Sequence, residues 1–202
     1  MLSGAYDGAI RRNSAGTRTL ARARYSSGVP NVFEPAASGR SKCRGCSTAI
    51  ARGELRFGER LPNPFADGEM TIWFHPLCAA YKRPEALLQG LAESSEAVPE
   101  RERLEQAAGK QLTHRRLPRI SGAERAPSSQ AKCRSCREPI ERGSWRIRLV
   151  FYEEGQFAPS GFVHLDCRGN YFETGDIADP VLHFSAGLSD AERDQLRRAC
   201  GG

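Results

Sequence analysis

The sequence predicts two small α+β modules in tandem, each with a short antiparallel sheet, a helix and a stabilising metal ion. Three observations predict this fold class. The chain has 202 residues, and two domains of about 60–80 residues would each have a core too thin to be stable without disulfides or a metal. Six of the seven cysteines stand in two matched sets, each with a histidine. The sequence around these sets also repeats.

The repeat appears when the chain is aligned with itself. The motif Lys-Cys-Arg-x-Cys occurs at residues 42–46 and again, at an offset of 90, at residues 132–136. About half of the positions in residues 34–56 are identical to their partners at this offset. A second motif, His-x-x-Cys after two apolar residues, occurs at residues 75–78 and 164–167, an offset of 89. A whole module has therefore been duplicated.

Each set has the ligands and spacing of a structural zinc site. A Cys-x-x-Cys turn and a His-x-x-Cys helix start each present two ligands on one side, and together they close a tetrahedron without a free position for water or substrate. A disulfide framework would leave one cysteine over, and a redox pair would not explain the histidines. Cys200, His114 and His183 have no such partners and are expected to be ordinary tail, linker or packing residues. The predicted ligands are Cys43, Cys46, His75 and Cys78 for one Zn²⁺, and Cys133, Cys136, His164 and Cys167 for a second.

The elements follow the same order in both modules. After the cysteine knuckle and a glycine turn, strands are predicted at residues 54–58 and 145–151, and the second of these alternates as a half-buried strand does. A further strand ends in His-x-x-Cys, where the chain turns into a helix, predicted to continue to Leu88 in the first module. Another helix is predicted at residues 100–111. The capping box Ser189-x-x-Glu192 announces a C-terminal helix.

These elements divide the chain into five predicted segments. The predicted segments are a disordered basic tail at 1–31, the first module at 32–92, a charged linker with a helix at 93–121, the second module at 122–185, and a C-terminal helix and tail at 186–202. The basic tail also has a composition that suits a mitochondrial transit peptide, although a solvated tail is the preferred interpretation.

The distribution of charge favours a polyanionic partner for the first module. The formal net charge of the chain is +6. Residues 34–92 carry 8 basic and 6 acidic side chains, whereas residues 123–202 carry 11 basic and 12 acidic ones. The sequence therefore supports nucleic-acid binding better for the first module than for the second. No stretch has the length and apolarity of a membrane helix, and no secretory signal is expected.

The order Cys-x-x-Cys, about 28 residues, then His-x-x-Cys resembles the PARP-type zinc finger, found at the N-terminus of poly(ADP-ribose) polymerase and in DNA ligase III. The run Glu34-x-Ala36-x-Ser38-Gly39-Arg40 before the knuckle is similar to the start of that family, as is the aromatic pair before His75. The second module departs from the pattern, because Ser129-Gln130 replace Gly-Arg and its spacing is one residue shorter.

The resemblance implies recognition of DNA breaks by structure rather than sequence. By position, Arg40, Arg56 and Arg146 resemble the residues that grip the backbone. Stacking on an exposed base pair is implied for loop residues Phe65 and Met70, and less strongly for Tyr152 and Phe157, which lie beside two glutamates. The alternative is that these four apolar side chains fill the small core beside zinc.

Two other functions stay open at this point. Zinc stabilises the scaffold of many protein-interaction adaptors, and the second module is a candidate for binding a protein partner. The same basic face would also suit structured RNA. No nucleotide-binding loop or catalytic constellation is present in the sequence, so an enzyme is not expected. The expected compartment is nuclear in a eukaryote or the nucleoid in a bacterium, with mitochondria as a further alternative.

Overall fold

The first module is built on a three-stranded antiparallel sheet in the order β1-β2-β3. A computed structural model describes residues 30–63 and 66–201, so the tail at 1–29 and Phe65 lie outside the described residues. Phe57 pairs with Phe33 on one side and Phe74 on the other, and these rings begin the core beneath the sheet. The strands are β1 (Val32–Pro35), β2 (Leu55–Pro62) and β3 (Glu69–Phe74).

Two helices follow the third strand instead of the single one that the sequence predicts. α1 covers Pro76–Lys82 and α2 covers Pro84–Glu93. The break lies at Arg83, whose backbone is at φ −134° and ψ 55°. A residue that precedes proline is sterically excluded from the helical region, so Pro84 ends one helix and starts the next.

The second module repeats the sheet and extends its last two strands into a long hairpin. β5 and β6 turn at Glu154 and Gly155, which both have positive φ, 48° and 78°. Two such residues form the tight turn whose twist matches a hairpin. The strands are β4 (Ile120–Arg125), β5 (Trp145–Glu153) and β6 (Gln156–His164).

Three short helices complete the second module: α4 (Arg168–Phe172), α5 (Ala178–His183) and α6 (Asp190–Ala199). The capping box predicted at the start of α6 is confirmed, since Ser189 and Glu192 each bond the other's backbone N–H. Leu196 and Cys200 are fully buried in the core of the second module. The C-terminal helix is therefore part of that module's packing, and Cys200 is a core residue.

The linker between the modules contains a packed helix, α3 (Arg101–Thr113). Leu104 and Ala108 are buried in the core of the first module, where α3 lies against α1 and α2. On its other side, Lys110 Nζ lies 2.9 Å from a carboxylate oxygen of Asp176 in the second module. Apolar burial and an ion pair therefore attach the linker helix to both modules.

The two modules also contact each other directly. The ring of Phe157 from β6 packs edge-on against Phe74, with centroids 6.3 Å apart. Gly155, at the hairpin tip, approaches the first module so closely that an added Cβ would lie 2.6 Å from Cε of Met70. Phe184 of the second module belongs to the first module's core. None of the helices within the described residues has the length and apolarity that a membrane crossing requires.

Candidate metal centres and nucleic-acid interface

Each cysteine knuckle is fixed to the strand before its histidine by a backbone hydrogen bond. The N–H of Arg44 donates to the carbonyl of Trp73, and the N–H of Arg134 donates to the carbonyl of Phe162, both at 2.8 Å. A second bond closes each knuckle from Cys43 to Thr48 and from Cys133 to Glu138. These bonds bring residues that are about 30 positions apart in the chain to one site, and they repeat in both modules.

The four predicted ligands of each module converge as a zinc ion requires. In both sets the ligand atoms all lie within 4.8 Å of one another. Nδ1 of His75 is 3.4 Å from Sγ of Cys46 and 3.8 Å from Sγ of Cys78, and the second module has nearly the same values, 3.4 and 3.9 Å. Ligands at about 2.3 and 2.0 Å from a tetrahedral metal stand about 3.5 Å apart. Both clusters therefore fit one Zn²⁺ each, bound through three Sγ atoms and Nδ1.

Backbone amides stabilise the thiolates in these clusters. Sγ of Cys43 accepts a hydrogen bond from the N–H of His75, and Sγ of Cys133 accepts bonds from His164 and Ser135, all at 3.3 Å. Burial raises the pKa of Cys133, but these amide bonds outweigh burial and lower it to about 7. In the first module, hydrogen bonds with Cys43 and then Cys78 lower the pKa of Cys46. The thiolates of Cys46 and Cys133 are thus favoured in the form that binds a cation.

The second nitrogen of each histidine has a polar neighbour that favours the ligand tautomer. Nε2 of His75 lies 3.6 Å from a carboxylate oxygen of Glu54. Nε2 of His164 lies 3.1 Å from the carbonyl oxygen of Pro139. A proton held on Nε2 leaves the lone pair of Nδ1 free for the metal. Closed four-ligand sites of this kind build the fold and leave no position for substrate.

One residue of the first centre comes from the second module. Nε2 of His183 lies 3.1 Å from Sγ of Cys78, and its ring packs 5.1 Å from that of Tyr81. Burial lowers the pKa of His183, which favours a neutral ring that donates one hydrogen bond to the thiolate. The sequence assigns His183 only a packing role, because the spacing of 105 residues from Cys78 gives no local signal.

The comparisons with known proteins agree with these centres. Residues 34–115 match the family model described as the poly(ADP-ribose) polymerase and DNA-ligase Zn-finger region. The chain carries tandem zinc fingers of the PARP type. The model match covers the first finger and the linker helix, and the ligand set of the second cluster repeats the first.

Several curated relatives are similar over most of the chain. A poly(ADP-ribose) polymerase of Drosophila melanogaster is 27% identical over 69% of this chain and 16% of its own length. Poly(ADP-ribose) polymerase 1 of Xenopus laevis is 30% identical over 81% of this chain and 18% of its own. The polynucleotide 3′-phosphatase ZDP of Arabidopsis thaliana is 28% identical over 84% and 28%. The chain spans less than a third of the length of each of these relatives.

The three arginines predicted to contact the DNA backbone differ in their exposure and in their partners. Arg40 is exposed. Arg56 is 8% exposed, and its guanidinium is paired with Glu34 at 2.5 Å and lies 3.6 Å above the ring of Trp73. Arg146 repeats this arrangement with Glu124 and Phe162 and is 6% exposed. Contacts of Arg56 and Arg146 with phosphate stay a prediction, and their pairing with carboxylates weighs against it.

The apolar side chains predicted to stack on DNA lie mostly between the fingers. Met70 contacts Gly155, and Phe157 contacts Phe74. Tyr152 packs 4.9 Å from Phe157 and lies 3.9 Å beneath the guanidinium of Arg83. Burial raises the pKa of Tyr152 to about 12. These three side chains pack where the fingers meet, which favours the alternative that they are packing residues and do not stack on DNA. Phe65 lies outside the described residues.

Three exposed basic side chains of the first finger gather beside its knuckle. Arg40, Lys42 and Arg44 are exposed and line a cleft together with Thr71 and Trp73 of β3. Within residues 30–63 and 66–201, no carboxylate pairs with any of the three. Gln156 and Phe157 of the second finger complete one wall. We call this the first-finger cleft. Of its three basic side chains, the sequence identified only Arg40 as a candidate DNA contact.

Proposed function

We propose that the chain is a zinc-dependent DNA-binding protein that recognises strand breaks or distorted duplexes by structure rather than by sequence. The observation that carries this proposal is the first-finger cleft, in which three exposed basic side chains lie beside the hydrogen-bonded knuckle and have no carboxylate partner in the described part of the chain. Phosphates of a nucleic-acid backbone are the polyanion that such a cluster suits.

The placement of the helices supports recognition of shape. A protein that reads base edges usually inserts an exposed helix into the major groove. Here the helix after each His-x-x-Cys is short, and its residues pack inward: Cys78 to Lys82 of α1 are all buried, as are Tyr171 and Phe172 of α4. Contacts to the backbone carry no sequence information, so the proposed binding depends on the geometry of the duplex.

The relatives supply the reason to propose breaks in particular. Their names describe poly(ADP-ribose) polymerases and a polynucleotide 3′-phosphatase. A base pair at a break has an open face, and an aromatic side chain that stacks on it contributes about 1–3 kcal/mol. Of the side chains predicted to stack, Phe65 is the candidate that this proposal retains, since Met70 is covered by the hairpin of the second finger.

Protein docking through the second finger has less support. The aromatic side chains that suggest a docking surface are Tyr152 and Phe157, and both pack against the first finger. Structured RNA has the same phosphate groups as DNA, so the experiment must distinguish RNA binding from DNA binding. The nuclear, nucleoid or mitochondrial compartment stays a prediction from the resemblance.

The test compares three nucleic acids and three proteins. The zinc-loaded chain is titrated by fluorescence anisotropy against a nicked duplex, the intact duplex of the same sequence and a hairpin RNA, between about 50 and 200 mM salt. We expect preference for the nick and weaker binding as salt rises. The variant R40Q/R44Q should reduce the slope of log K against log salt by about 1.8, since each phosphate contact contributes about 0.9.

The matched control is R142Q/R198Q, which removes the same two charges from exposed positions outside the cleft. It should bind as the unmodified chain does. Equal binding to all three nucleic acids would contradict break recognition, and preference for the RNA would move the proposal to RNA. A loss of affinity in the control as large as in R40Q/R44Q would show that only total charge matters.

A further inference from the structure

The second finger has a basic cleft of its own at the position equivalent to the first-finger cleft. Arg134, Arg137 and Ser160 of the second finger align with Arg44, Ser47 and Thr71 of the first. Two further arginines, from the end of the linker, complete its lining. We call this the arginine cleft, defined by Arg116, Arg119, Arg134 and Arg137 together with Ser160 and Tyr171.

Neutral acceptors hold three of these arginines in place, which leaves their charges uncompensated. Arg119 donates to the carbonyl of Val150, the hydroxyl of Tyr171 and Oγ of Ser160, the last at 2.9 Å. Arg116 donates to the carbonyl of Tyr171 at 2.8 Å, and Arg134 to the carbonyl of Ser160 at 3.1 Å. Across the two described ranges, none of the four guanidinium groups of the cleft is paired with a carboxylate.

A glycine makes the position of Arg134 possible. Gly161 of β6 has φ +94°, and a Cβ added there would lie 2.8 Å from Nε of Arg134. Cγ and Cδ of Arg134 would lie 3.4 and 3.6 Å from the same added Cβ, so the side chain packs directly over Gly161. In the first finger the equivalent position is Ile72, and within the described residues the side chain of Arg44 forms no hydrogen bond. The arginine cleft is thus the more preorganised of the two.

Balancing the zinc centre does not account for this charge. Three thiolates and one Zn²⁺ carry a net charge of −1, which a single neighbouring arginine offsets. The cleft gathers four guanidinium groups, which match phosphate oxygens in geometry as well as in charge. Its volume of about 470 Å³ exceeds that of one phosphate and leaves room for the attached sugar.

We propose that the arginine cleft is a second phosphate-binding site, which takes a phosphate group of the DNA that the first finger engages. This inference rests on the DNA binding proposed above. The phosphate has two possible sources: a phosphodiester in a strand flanking the break, or the terminal phosphate at the break itself. A near-neutral second finger thereby contributes directly to DNA binding.

The test uses the full zinc-loaded chain and the variant R134Q/R137Q, whose two side chains are exposed. Two nicked duplexes serve as probes, one with a 5′-phosphate at the nick and one with a 5′-hydroxyl. The variant should bind the phosphorylated nick roughly tenfold more weakly, and its salt slope should fall by about 0.9, the contribution of one phosphate. An equal loss on both probes assigns a phosphodiester, and a loss confined to the phosphorylated nick assigns the terminal phosphate.

The control R142Q/R198Q removes the same charge elsewhere, and zinc content with thermal melting verifies that each variant is folded. A variant R134Q/R137Q that binds both probes as tightly as this control would overturn the arginine cleft while leaving the proposed function intact. Failure of the unmodified chain to bind any nicked duplex would instead reject the proposed function, and the cleft as a DNA site with it.

Discussion

The two fingers have the same cleft between knuckle and third strand, but different parts of the chain close it. In the first finger, Gln156 and Phe157 of the neighbouring hairpin form one wall. In the second finger, Arg116 and Arg119 of the linker form it. Duplication has copied the ligands, the knuckle bonds and the buried Arg–Glu pair, whereas the walls come from segments outside the repeated motif. The two clefts therefore differ in charge and rigidity although the fingers share a fold.

The two zinc centres also differ in the contacts that they receive from other parts of the chain. Both have equivalent ligand distances, but the first receives a hydrogen bond from His183 of the other finger, and Cys78 is 2% exposed. In the second centre Cys136 is exposed. The first finger thus depends on contacts from the second for part of its core, and the predictions below test that dependence from the largest expected effect to the smallest.

The largest effect is expected from Cys43→Ala. Zinc ligation supplies on the order of 10 kcal/mol to a finger of this size, so the first finger should lose its ion and unfold. The second finger should stay folded on its own core but melt about 4–8 °C lower for each kcal/mol of lost interface contacts. Zinc content by mass spectrometry and melting by calorimetry measure both. An unchanged melting temperature for the second finger would contradict the packing between fingers.

An intermediate effect is expected from Phe157→Ala, which removes the ring packed against Phe74 and Tyr152. Because Phe157 is only partly buried, we expect the free energy of unfolding to fall by about 2 kcal/mol, less than a fully buried phenylalanine costs. The control is Phe151→Ala, which removes a ring from the same hairpin that is 42% exposed. Urea unfolding should show a change of at most about 0.5 kcal/mol for the control; equal losses would argue against an interface role.

A smaller effect for each pH unit is expected from Lys82, which is buried between the fingers and donates to the carbonyl of Ile120. Burial lowers its pKa to about 7. Between this value and the unfolded pKa of about 10.4 the unfolded chain binds the extra proton, so stability should rise with pH by about 1.4 kcal/mol per unit. Lys82→Met should lack this slope, whereas the exposed control Lys132→Met should retain it. Parallel curves for Lys82→Met and the unmodified chain would contradict the assignment.

Local spacing explains which features the sequence could predict. The ligands, the knuckles and the capping box at Ser189 depend on residues three or four positions apart, or on a repeat that can be aligned. The break at Arg83 was also available, because Pro84 follows it directly. The linker helix was predicted, but its burial was not, since Leu104 and Ala108 show their partners only in three dimensions.

Long-range contacts explain what the sequence missed. His183 reaches Cys78 across 105 residues, and Tyr152 and Phe157 pack against a sheet formed nearly a hundred residues earlier. The net charge of the second module gave no indication of the arginine cleft. Residues 123–202 sum to −1 (11 basic, 12 acidic), yet Arg134 and Arg137 meet two linker arginines that lie outside that count. A segment's net charge does not describe the charge of a surface that two segments share.

The most direct test of this account is the salt dependence of binding to one phosphorylated nicked duplex by four proteins: the unmodified chain, R40Q/R44Q, R134Q/R137Q and the variant with all four changes. If both clefts bind phosphate, the two losses of slope should add, to about 2.7 for the fourfold variant at about 0.9 per phosphate. A fourfold variant with the slope of R40Q/R44Q alone would contradict the account and leave the second finger a structural support for the first.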